Sequence, residues 1–219
     1  MANNPVIGAW IRISDSHVGI RIYTDSHYVM LGSPKDRRPG AGQRATPDES
    51  LEALLTCPTL SGTYTVSGSR ITQVRVANSR PELTNLPATF EYIIDGDTII
   101  QTAVSGTTSA TASGPSFTLR KLPSSGVDSP LQGAWEMVDN TEQGVIIFTG
   151  TYHVVVRMHE ERDLPKGEQY TLEEAFTALY TCGAQAGPYT VSGSTLTLER
   201  TTCLRPERVG ENAVQEFTM

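Results

Sequence analysis

Gly8-Ala9-Trp10 and Gly133-Ala134-Trp135 are one tripeptide met twice, and Tyr64-Thr65-Val66-Ser67-Gly68-Ser69 returns as the run from Tyr189 to Ser194. Both repeats share an offset of 125 (135 − 10 and 189 − 64). Held there without a gap, the register also aligns Gly19 with Gly144, Ile22 with Ile147, Thr24 with Thr149 and Val29 with Val154. Further on it aligns Thr46 with Thr171, Glu49 with Glu174, Cys57 with Cys182, Arg75 with Arg200 and Glu91 with Glu216. Such a period exceeds any solenoid repeat and matches a domain. The expected organisation is therefore a tandem duplication: unit 1 over residues 1–122, a linker over 123–130, and unit 2 over 131–219.

Working outward from the Trp, residues 8–14 alternate as a strand. Two short strands follow in each unit, turning at Asp25-Ser26 and at Gly150-Thr151. A polar loop comes next, 32–45 or 157–170, carrying the matched pair Arg37 and Arg162. Each loop ends in Thr-x-x-Glu, Thr46 to Glu49 and Thr171 to Glu174, a reciprocal cap for the start of a helix. Pro47 sits at the first helical position, where its missing N–H costs nothing. The spacing predicts helices over 47–57 and 172–182, then strands 62–66, 71–76, 89–94, 98–104 and 116–120, with counterparts at 187–191 and 196–201. Eight short sequential strands with one helix describe an up-and-down antiparallel β-barrel.

Composition narrows the function classes. A net charge of −7 and a pI near 5.1 argue against a nucleic-acid partner, which needs a basic face to neutralise phosphates. No run of apolar residues is long enough for a membrane-spanning helix, and no secretory leader pattern opens the chain. The three cysteines, Cys57, Cys182 and Cys203, read as free thiols of a reducing compartment, so a cytoplasmic location is expected. No metal-ligand spacing, nucleophile elbow or glycine-rich phosphate loop occurs, so no metal or other cofactor is expected.

The ordered series Gly-x-Trp, Ile-x-Tyr/Phe-Thr, helix, Gly-x-Tyr-x-Val and Asp95-Gly96-Asp97-Thr98, ending in a strand with Arg120, resembles the lipocalin-like domains of the calycin group. The resemblance implies a barrel closed at its floor by Trp10 with Arg120 lying across it, and a lumen that holds a small molecule. Unit 2 departs from the pattern. Met219 aligns with Ile94, so counterparts of the last two strands are missing and Trp135 lacks its arginine. Pairing with a second copy, merger of the two units into one sheet, and a tail outside the chain are the alternatives.

Strand parity supplies candidate site residues. On the third strand, His27, Val29 and Leu31 share a face, as do Tyr152, Val154, Val156 and Met158. This is the more apolar face, and it is read as the lumen. His27 and Tyr152 become candidate catalytic hydrogen-bonding groups, against a plain reading as strand-end residues. Tyr64, Tyr189, Arg75, Arg200, Glu91 and Glu216 are candidate ligand-binding residues, against wall-filling tyrosines and cross-strand ion pairs. Burying about 300–400 Å² of ligand would yield ~8–10 kcal/mol gross at ~25 cal/mol/Å². Capture of a small, largely apolar molecule therefore needs no special residue. Two functions follow: a cofactor-free cyclase, isomerase or pericyclase acting by proximity, and a non-catalytic carrier.

Overall fold

The computed structural model describes residues 4–37, 40, 42–105, 116–123, 129–137 and 141–218. Eight strands close into an antiparallel barrel: β1 Gly8–Ile13, β2 His17–Tyr23, β3 His27–Pro34, β4 Thr59–Ser67, β5 Arg70–Asn78, β6 Pro87–Asp95, β7 Thr98–Ser105 and β8 Ser116–Lys121. Each strand pairs with the next, and β8 returns to β1 with Ile11 opposite Arg120. A second sheet does not close. It runs β15-β13-β12-β11-β10-β9, with β14 paired to β12. Its members are β9 Gly133–Glu136, β10 Glu142–Phe148, β11 Tyr152–His159, β12 Cys182–Ser192, β13 Thr195–Glu199, β14 Thr202–Cys203 and β15 Asn212–Glu216. The two sheets are separate, so the merger into one sheet is overturned. Most of the expected linker, residues 124–128, lies outside the described residues, as does Met219.

Helices α1 (Pro47–Thr56) and α2 (Leu172–Tyr180) both carry the expected capping box, Thr46 with Glu49 and Thr171 with Glu174. They pack on each other through Leu54, Ala175 and Ala178. Gly62 and Gly187 sit where β4 and β12 press closest to a neighbouring backbone. A Cβ at Gly62 would lie 1.9 Å from the Val74 carbonyl oxygen, and one at Gly187 2.0 Å from that of Glu199. Only glycine fits, and at β4 the register shifts between Ser61 and Gly62.

The largest apolar cluster lies between the sheets. Ile20, Ile22, Val29 and Leu31 on the outer wall of the barrel pack against Val145, Ile147, Val154 and Val156 of β10 and β11. This corrects the lumen assignment: the His27–Leu31 and Tyr152–Met158 faces meet each other across this contact. A barrel whose outer wall is covered carries its most apolar stripe outside, and parity cannot tell an inner face from a covered outer one.

Reciprocal arginines close the same contact. Arg37 donates Nη1 to the Cys203 carbonyl and Nη2 to that of Leu204, each at 2.7 Å. Arg162 donates Nη1 to the Asn78 carbonyl at 2.5 Å and Nη2 to that of Ser79 at 2.8 Å. Donors and acceptors alike differ by 125 (162 − 37, 203 − 78, 204 − 79), so the exchange is reciprocal.

Candidate functional site in the barrel lumen

The lumen is layered. At the floor, Trp10 is 1% exposed and donates Nε1 to the Val6 carbonyl at 2.8 Å. Ile71, Ile99 and Leu119 pack around it. Arg120 does not lie across the indole. Its register opposite Ile11 turns it outward, and Lys121 places Nζ 5.8 Å from the Trp10 ring centre instead. Tyr64 also belongs to the floor: its hydroxyl donates to the Thr24 carbonyl at 2.5 Å and accepts from Asn4 Nδ2 at 2.8 Å. Burial pushes its pKa up to about 12, so it stays a neutral phenol.

Above the floor lies a polar layer that the sequence reading did not single out. Arg21, 5% exposed, donates to the Gln101 side-chain oxygen, and its Nη1 stands 3.4 Å from the Tyr23 hydroxyl. Gln73 and Gln101 donate to the same hydroxyl at 2.8 and 3.1 Å. Nε of Arg21 has no partner, nor has the buried Tyr28 hydroxyl. Desolvation drives the Tyr28 pKa upward, partly opposed by Arg75. Nearer the open end, Arg12 stacks 5.0 Å over Phe117 and Arg21 5.9 Å over Phe90. Burial first, and the Arg21 charge second, lower the Arg12 pKa. Next to these groups is a cavity of about 80 Å³ bounded by Arg12, Arg21, Met30, Phe117 and Leu119. Wider concavities of about 610 Å³ beside Gly8 and Gly133, and about 680 Å³ beside Leu164 and Tyr170, are more open clefts.

The other expected residues lie apart. His27 Nε2 bonds Glu136 Oε1 at 2.8 Å, tying β3 to β9, and Tyr152 packs against the core between the sheets; neither faces the lumen. Arg75 does, 5% exposed, donating to the Leu86 carbonyl at 3.3 Å. Its expected partner Glu91 pairs with Arg70 at 2.9 Å on the outer surface. Arg200 pairs with Glu211 at 2.9 Å, while Glu216 accepts from Ser194 and Thr195, bonds that lower its pKa. The expected arginine–glutamate pairs therefore do not form: Glu91 lies opposite Arg70 on the outer surface, and Glu216 lies opposite Thr195 at the far end of β13 from Arg200. Tyr189 repeats the bond of Tyr64, donating to the Thr149 carbonyl at 2.5 Å. Alternation groups Arg21 with Tyr23, Gln73 with Ile71 and Arg75, and Gln101 with Ile99, and the common inward face of these sets shows only in the closed barrel.

The three cysteines are free and buried, and no group of three or more metal-binding side chains occurs among the described residues. No helix among them is long and apolar enough to cross a membrane. Comparison with protein-family models, with curated proteins and with solved structures finds no match. The fold defines an all-β protein built on a closed eight-strand antiparallel barrel with an open companion sheet.

Proposed function

We propose that the protein is a tandem lipocalin-like binder that holds a small molecule in the lumen of its closed barrel, entering at the end opposite Trp10. The observation that carries this reading is the convergence of buried Arg21, Gln73, Gln101 and Tyr23, with Arg21 also lining a cavity in the lumen. Buried polar groups cost stability unless partnered, so a cluster with unused hydrogen-bonding capacity marks a place built for a ligand. A cavity of about 80 Å³ favours a compact ligand over a drug-sized one, which needs roughly 300 Å³ or more. The offset-125 contacts of Arg37 and Arg162 support the duplication, with unit 1 as the ligand-holding copy.

A second reading, turnover of the bound molecule, is favoured by one feature. The donors gathered at Tyr23, with the unpartnered Tyr28 hydroxyl, could polarise a carbonyl without any cofactor. The open edges β9 and β15, with Trp135 45% and Val214 64% exposed, support pairing with a second copy, which sedimentation velocity checks.

Native mass spectrometry of freshly purified protein tests the binding reading. A small adduct is expected on the wild type and not on Met30→Trp, in which the indole fills the cavity. An adduct retained unchanged by a folded Met30→Trp protein would place the ligand elsewhere.

A further inference from the structure

We infer that the lumen ligand carries a carboxylate, held by Arg21 with Arg12, and that its class is small monocarboxylates with a short hydrocarbon body. The inference rests on the lumen-binding reading and adds the chemistry of the ligand.

Two guanidiniums bound one small cavity, and among the described residues no carboxylate stands within ion-pair distance of either. Arg12 stacks on the Phe117 ring, and Arg21 is held by neutral groups, Gln101, Tyr23 and Met30. Residues 106–115, between β7 and β8, contain no acidic side chain. A chain with 24 acidic and 17 basic residues could readily have supplied a counter-charge, yet among the described residues the charged side chains bounding this cavity are both cations. Arg21 is buried among neutral partners and Arg12 is half-buried beside it, so an incoming anion supplies the counter-charge and relieves the mutual repulsion of the two arginines.

The cavity also selects among anions. Its remaining walls include Pro58, Phe117 and Leu119, whose apolar side chains accept a hydrocarbon stub and offer no donors. A carboxylate presents two oxygens in one plane and can be satisfied by two guanidinium edges, including the unpartnered Nε of Arg21. A phosphate would leave oxygens facing apolar side chains. A water needs roughly 10–15 Å³ of such space, so about 80 Å³ suits a group of a few heavy atoms.

The test uses the full chain with isotopically labelled methionine methyl groups, read at Met30, which borders the cavity. Propionate, propionamide and inorganic phosphate are titrated separately at constant ionic strength. Propionate is expected to shift the Met30 methyl signal at a concentration at least about tenfold below propionamide, the preference a charge-assisted bond confers. Arg21→Gln and Arg12→Gln should each remove that preference, and the milder Arg12→Gln keeps the test decisive if Arg21→Gln does not fold. Equal responses to propionate and propionamide would overturn the carboxylate assignment and leave the lumen reading standing. Tighter binding of phosphate would overturn the carboxylate class. No Met30 response to any of the three would overturn the lumen reading and the assignment together.

Discussion

His153 is fully buried on β11, beside the Phe148 ring at 6.4 Å, and its ring nitrogens make no hydrogen bond of good geometry. Desolvation lowers its pKa to about 4, only partly opposed by the nearby Pro188 and Gly187 backbone. The folded value lies below the unfolded one of roughly 6.5, so the unfolded chain binds the extra proton. Stability from this residue is complete above about pH 6.5 and is lost as pH falls towards 4, by about 3 kcal/mol in all. Urea unfolding at pH 7.5 and pH 4.5 should show this loss in the wild type and a clearly smaller one in His153→Phe. Gly62→Ala belongs to the same scale. The added methyl group meets a backbone oxygen at 1.9 Å, and a loss of about 3 kcal/mol or more is expected from chemical denaturation.

Among the elements, the clamps and caps carry separable contributions. Arg162→Ala strips partners from the Asn78 and Ser79 carbonyls, and Arg37→Ala from those of Cys203 and Leu204. Each should cost about 2–4 kcal/mol, since hydrogen bonds to a charged donor are lost and their acceptors stay in the contact. Thr46→Ala and Thr171→Ala should cost only about 1 kcal/mol each. Equilibrium unfolding of the four variants ranks them, and similar losses for caps and clamps would contradict the assignment. The caps were legible because a capping box is local, four residues that carry their own geometry. The clamps were visible only as the matched pair Arg37 and Arg162, because their acceptors lie 166 and 84 positions away for the first bond of each. β14, two residues long, left no periodic signal.

For the whole molecule, the strands, their order and closure of the first eight could be read from alternation and turn chemistry. Which face of β3 looked inward could not. Val29 and Val154 are apolar because they meet each other's sheet, whereas the lumen holds Arg21, Gln73 and Gln101 for a reason that only closure reveals. The same core implies that barrel and open sheet unfold together. Ile147→Ala, on the open sheet, should lower the barrel's unfolding temperature as much as Val29→Ala does, in one calorimetric transition. Two resolved transitions would contradict a shared core.

The proposed site is the lumen, whereas the face bearing His27 and Tyr152 packs towards the second sheet. Thermal-shift titration with propionate on the wild type, Arg21→Gln, His27→Ala and Tyr152→Phe compares the two directly. The account predicts a propionate-dependent rise in Tm that Arg21→Gln abolishes while His27→Ala and Tyr152→Phe retain it. A rise that survives Arg21→Gln and disappears with His27→Ala or Tyr152→Phe would contradict it.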